Sequence, residues 1–125
     1  MFRDTKAFSG FSVDDIAKAK AFYSEVLGVE VTQDDDLLHL QIASGNPVLI
    51  YPKPDHTPAT YTILNFPVDD IDQTVDELTR RGVRFQHYDG PLQTNAKGIA
   101  TWEGSHRQAW FTDPAGNILS VIQTL

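Results

Sequence analysis

The chain contains no cysteine and one methionine in 125 residues. Disulfides, thiolate nucleophiles, cysteine-ligated zinc and iron–sulfur clusters are therefore excluded together. Cationic residues are few: 10 Lys and Arg stand against 17 Asp and Glu, for a net charge of −7. Such a surface repels phosphate backbones and has no counterions to release, so nucleic acid is not an expected partner. No apolar run approaches the roughly 20 residues that cross a bilayer, and a membrane is not expected either. The opening Met1-Phe-Arg-Asp-Thr-Lys6 lacks the apolar stretch of a secretory leader, which makes a cytoplasmic location the expectation. Gly-x-Ser-x-Gly, a P-loop and Gly-x-Gly-x-x-Gly are all missing, so the commonest nucleophile and phosphate cradles drop out. What remains is a globular composition, 41% hydrophobic and 22% charged. At this length a single domain, residues 1–125, buries roughly two thirds of its unfolded surface.

One self-similarity organises the chain. Phe11-Ser-Val-Asp-Asp-Ile16 recurs as Phe66-Pro-Val-Asp-Asp-Ile71. In the first copy Asp14 or Asp15 caps a helix whose apolar residues Ile16, Ala19, Phe22, Tyr23, Val26 and Leu27 share a face, and Gly28 suits its left-handed end. In the second, Asp70 and Gln73 resemble a capping box, Ile71, Val75 and Leu78 form the stripe, and Gly82 closes. Strands are expected at 6–13, 29–32, 37–42 and 47–51, and again at 60–68, 83–87, 99–102, 108–112 and 118–123. Turns Asp34-Asp35-Asp36, Ser44-Gly45-Asn46-Pro47, Asp89-Gly90-Pro91 and Asp113-Pro114-Ala115-Gly116-Asn117 separate them. The expected fold class is α+β: two βαβββ modules, 1–54 and 59–125, joined by the proline-rich linker 52–58. Neither module is large enough to close a core alone.

Phe11-Ser-Val-Asp-Asp-Ile-Ala-Lys-Ala-Lys-Ala-Phe-Tyr-Ser-Glu-Val-Leu-Gly28, the second Phe-Pro-Val-Asp-Asp and the late Asp113-Pro-Ala-Gly-Asn-Ile-Leu119 resemble the vicinal oxygen chelate superfamily of glyoxalase I, bleomycin-resistance proteins, extradiol dioxygenases and fosfomycin-resistance enzymes. The resemblance spans nearly the whole chain. It implies two modules forming a cupped open barrel, a glyoxalase/bleomycin-resistance-like fold, with a small-molecule ligand in the cup and a homodimer completed across a two-fold axis. It also implies a metal ligand on each of four strands. Carried over by position, the first falls on Phe8, the third on Ile63 and the fourth on Ser120. The second falls near Ile50, in a register open by one residue. Phe, Ile and a neutral Ser hydroxyl are poor ligands for a divalent ion. The expectation is therefore a site without metal or other cofactor.

The remaining candidates are polar or aromatic. Of the four histidines, His39 alternates with Gln41 in a strand and offers a polar handle for a ligand. His56 belongs to the linker and is expected at the surface, as is His87, whereas His106 sits in a loop able to close over a ligand. Trp102, Trp110, Tyr51 and Tyr61 are candidate aromatic walls, and residues 91–98 a candidate flap. Asp14, Asp15, Asp69 and Asp70 are assigned to helix capping and Asp34–Asp36 to a charged turn. The ligand-binding set read from sequence is thus Phe8, His39, Gln41, Ile50, Ile63, Trp102 and Ser120. The expected function is metal-free small-molecule binding of the bleomycin-resistance kind. The alternative is a glyoxalase-like lyase or isomerase, or a dioxygenase, with a non-standard or absent metal site.

Overall fold

Each Val-Asp-Asp motif joins a strand to the helix that follows it. The computed structural model describes residues 1–43 and 45–124, which divide into two compact units, Met1–Pro58 and Ala59–Leu125. Ser44, in the expected 44–47 turn, and Leu125, at the end of the expected second module, lie outside the described residues.

In the first unit β1 (Gly10–Val13) leads into α1 (Ile16–Ala21), which widens into a π-helical turn at Phe22–Val26. Asp15 is the cap, its Oδ1 accepting from Lys18 N at 3.0 Å and satisfying an amide that the helix start would orphan. Gly28, at φ +70°, makes the left-handed exit. Strands β2 (Glu30–Asp34), β3 (Leu37–Gln41) and β4 (Val48–Pro52) follow. The sheet runs β1-β4-β3-β2, with β1 parallel to β4 and the other pairs antiparallel. β1 is shorter than the expected 6–13 because its one partner strand, β4, begins only at Val48. Leu38 pairs with Ile50 and Leu40 with Val48, so these four share one face, and all are buried together with Val13, Ala19 and Tyr23.

In the second unit β5 (Thr62–Pro67) precedes α2 (Ile71–Arg80), whose cap Asp70 accepts from Gln73 N at 3.1 Å. A single 3-10 turn (Gly90–Leu92) leads to β6 (Ile99–Trp102), β7 (His106–Thr112) and β8 (Ile118–Thr124). The order is β5-β8-β7-β6, the same plan as the first sheet. The strand expected at 83–87 is absent. It is reduced to one bridge, Phe85 with Phe111, beside which Gln86 N donates to Trp110 O at 2.8 Å. The cause is competition for one edge: β6 takes the outer edge of β7 up to Ala109, leaving only its last residues for an earlier segment. The 83–98 stretch touches that edge, loops out and returns as β6.

Alternation fixes what each face of this sheet holds. Ile99, Ala109, Phe111, Leu119 and Val121 are buried on the side where α2 packs with Ile71 and Val75. The Asp113 turn has its own logic. The buried Asp113 carboxylate accepts from Ala115 N, Asn117 N and Asn117 Nδ2 at 2.9 to 3.0 Å, which explains the Asp-Pro-x-Gly-Asn spacing as loop closure. Among the described residues no helix is long and apolar enough to cross a membrane.

Phe111 has no exposed surface and meets Phe85 edge-to-face at 5.5 Å. Phe111→Ala is expected to destabilise the protein by about 3–5 kcal/mol, measured by denaturant unfolding. A loss below about 1 kcal/mol would mean that the second unit is not held by this layer.

Candidate functional site

The face of the second sheet opposite α2 carries the site. Register places Asn65 on β5, Ile118, Ser120 and Ile122 on β8, Gln108 and Trp110 on β7, and Ala100 and Trp102 on β6 on this one side. Pairing shifts between Thr62 and Leu64, so Ile63 is the extra residue of a bulge.

Over this face opens a cavity of about 590 Å3. Its floor is Gln108, Trp110 and Ile118, and its walls come from Thr60, Tyr61 and Thr62 on one side and Tyr88, Asp89, Pro91 and Leu92 on the other. Trp110 is only 8% exposed and packs edge-to-face on Tyr88 at 5.6 Å. Tyr61, Tyr88 and Leu92 are exposed and stand together around this opening, a contiguous apolar patch of the kind that marks a binding surface. A concave, mainly aromatic space with a few placed polar groups is the usual form of a small-molecule site.

The polar groups form a chain across four strands. Trp102 Nε1 donates to Gln108 Oε1 at 3.0 Å, Gln108 Nε2 donates to Ser120 Oγ at 2.9 Å and to Asn65 Oδ1 at 3.3 Å, and the Ser120 hydroxyl donates to Asn65 Oδ1. Gln108 and Ser120 are buried, yet among the described residues no buried side-chain polar atom is left without a partner. Trp102 also stacks on His106, ring centroids 4.2 Å apart and planes within 10°.

Behind the site, Arg107 points to the α2 side and donates to Asp72 Oδ2 at 2.7 Å. Lys97, at the end of the loop that supplies Pro91 and Leu92, reaches Asp76 and Asp72 on the same helix. Thr94 Oγ1 accepts from Tyr88 N, and Asn95 Oδ1 from Lys97 N and Ile99 N, so the candidate flap segment 91–98 is tied at several points. Arg107, chiefly by its hydrogen bond and then with Lys97 by charge, holds the Asp72 carboxyl below the usual carboxylate range, while Asp76 raises the Lys97 ammonium.

The sequence-derived residues divide between the units. Trp102 and Ser120 join through Gln108, and Ile63 lies at the rim strand two residues before Asn65. Phe8, 65% exposed, His39, half-buried, and Gln41, whose Nε2 donates to Thr32 Oγ1 at 3.3 Å, belong to the first unit. Ile50 does not share their sheet face. It is fully buried beside Leu38, and it is Leu49 that pairs with His39. The one-residue slip matters because a strand's side chains alternate. His56 departs from its expected surface position: it is half-buried, its Nδ1 2.6 Å from Ser12 Oγ. Asn65, Gln108 and Tyr88 went unread as site residues, and Leu92 was read only as part of the candidate flap. The available signal was period-two alternation, since Asn65 follows Ile63 and Gln108 precedes Trp110 by two.

Residues 8–121 match the profile of the Glyoxalase/Bleomycin resistance protein/Dioxygenase superfamily. A glyoxalase family protein from Bacillus anthracis superposes over the whole of both chains at 17% identity and TM-score 0.73. The fosfomycin resistance protein FosX from Listeria monocytogenes is 16% identical, with 95% of this chain and 92% of that one covered and a TM-score of 0.71. An antibiotic binding protein from Streptomyces sp. CB03234 is 27% identical over 98% of both chains, with a TM-score of 0.67. No curated protein matches the sequence significantly.

Asp72→Asn is expected to cost less than about 1 kcal/mol at neutral pH, because the carboxylate is 46% exposed. Its carboxyl is depressed, so the wild type's advantage is complete above the ordinary value of 3.8 and fades as pH falls below it. Urea melts of both proteins at pH 7 and pH 3 check this. A difference as large at pH 3 as at pH 7 would contradict the pairing.

Proposed function

We propose that this chain, which belongs to the Glyoxalase/Bleomycin resistance protein/Dioxygenase superfamily, binds a flat aromatic small molecule in the cavity of its second unit and sequesters it without a metal. The observation that carries the reading is the lining itself: three aromatic rings, Tyr61, Tyr88 and Trp110, around Gln108, whose hydrogen bonds go to its neighbours. Aromatic walls give a flat ligand large contact area at small entropic cost.

The metal implied by the resemblance does not fit the residues here. Phe8, Ile50 and Ile63 have no donor atom, and the single oxygen of Ser120 is engaged by Gln108 and Asn65. Among the described residues no three His, Asp or Glu side chains gather where an ion would sit. Asp89 at the cavity wall and the net charge of −7 favour a cationic ligand over an anionic one. The Streptomyces neighbour, an antibiotic binding protein, supports the same reading. A two-fold dimer goes with it, since β1 and β2 in one sheet and β5 and β6 in the other each leave an edge without a partner strand among the described residues.

Titration with a panel of cationic aromatic drugs is expected to quench tryptophan emission, and Trp110→Phe to remove most of that signal. If no member of the panel perturbs emission, the reading fails. Elemental analysis of protein purified without chelator is expected to show no stoichiometric divalent ion. One ion per chain, whose removal lowers the melting temperature, would contradict metal-free binding.

A further inference from the structure

The hydrogen bonds across the site run in one direction, and that direction decides what a ligand meets. An indole N–H only donates. Trp102 gives its proton to Gln108 Oε1, so Gln108 must turn its amide nitrogen toward Ser120 and Asn65. Ser120 Oγ, already accepting from Gln108, sends its own hydrogen to Asn65 Oδ1. Both bonds end on that oxygen. The Asn65 amide is therefore oriented with Oδ1 toward Gln108 and Ser120, which leaves Nδ2 as a donor on the other side of an exposed residue, with no acceptor among the described residues.

Asn65 stands beside the cavity. It is within hydrogen-bond reach of the wall residue Gln108, and it forms one row across the sheet with Ser120 and Trp110. Two strand spacings separate Asn65 from Trp110, about 10 Å, a span that three fused rings bridge.

We propose that Asn65 is the specificity-determining residue of this site, selecting flat aromatics that carry an acceptor oxygen, such as a ring carbonyl, over those that present amines there. Trp102, Gln108 and Ser120 act as positioning residues that lock its amide as a donor. The inference rests on the binding reading of the cavity. A ligand amine set against a fixed amide donor leaves both unpaired, whereas a carbonyl completes the chain, and such mismatches discriminate through the rejected partner.

Asn65→Asp separates the two possibilities. The replacement keeps an oxygen to accept from Ser120 and Gln108 and converts the outward donor into an acceptor. The probes are 9-fluorenone, whose only polar atom is an acceptor oxygen, and 2,7-diaminofluorene, a tricycle of similar size bearing amines, each titrated by calorimetry and tryptophan emission. The wild type is expected to prefer fluorenone by about tenfold and Asn65→Asp to reverse the preference. Trp102→Phe, which frees Gln108 to turn over, is expected to bring the ratio toward one. If both probes bind wild type and Asn65→Asp with the same ratio, the assignment to Asn65 is overturned while the cavity reading stands. If neither binds the wild type, the cavity reading fails and the proposal falls with it. Should the new carboxylate prevent folding, Asn65→Ala serves: a ratio near one supports the assignment, and an unchanged ratio overturns it.

Discussion

The hydrogen bond from the Trp102 indole to Gln108 governs the open face of the second sheet. A strand face that is not covered by its helix normally carries side chains satisfied by water. Here Gln108 and Ser120 are buried instead, and a buried amide or hydroxyl without a partner costs about 1–3 kcal/mol. One donor-only group at the end of the row removes the ambiguity of two amides and a hydroxyl. The polar row then needs nothing further from a ligand except at its Asn65 end.

That arrangement depends on the opposite face of the same strands. Phe111, Leu119 and Val121 alternate with Trp110 and Ser120, so the layer under α2 and the floor of the cavity are built from the same two strands. Arg107 and Lys97 tie the helix to β7 and to the loop that supplies Pro91 and Leu92. The ion pairs are exposed enough to be weak individually. Their use is in holding the loop that forms one wall. The Asp113 turn performs the equivalent task at the other end, closing the β7–β8 connection through hydrogen bonds to one carboxylate.

Much of the fold was legible in the residues. Asp15 and Asp70 cap the helices read from their motifs, and Gly28 and Gly82 take the left-handed ends. These are local effects, decided within a turn of the chain. The misreadings are all nonlocal. Whether 83–87 forms a strand depends on how much of β7's edge another segment has taken. The register left open by one residue at Ile50 is set by pairing with β3, which puts Leu49 and not Ile50 opposite His39, and Ile63 sits at a bulge that no local signal marks. Asn65 and Gln108 resemble ordinary surface amides until the register sets them beside Ser120. The family resemblance supplied positions of metal ligands, but side-chain chemistry at those positions carried the functional reading away from metal.

The central claim is that the aromatic cavity of the second unit is where a small molecule binds. Nuclear magnetic resonance of 15N-labelled protein tests it directly, because the Trp110 indole and the Gln108 amide report from the floor of that cavity and the Trp102 indole and Asn65 amide from the residues hydrogen-bonded to Gln108 or in its row. On titration with a cationic aromatic compound that binds, the account predicts that these signals shift first and together. Saturable binding that leaves them unmoved while residues of the first unit shift would contradict it.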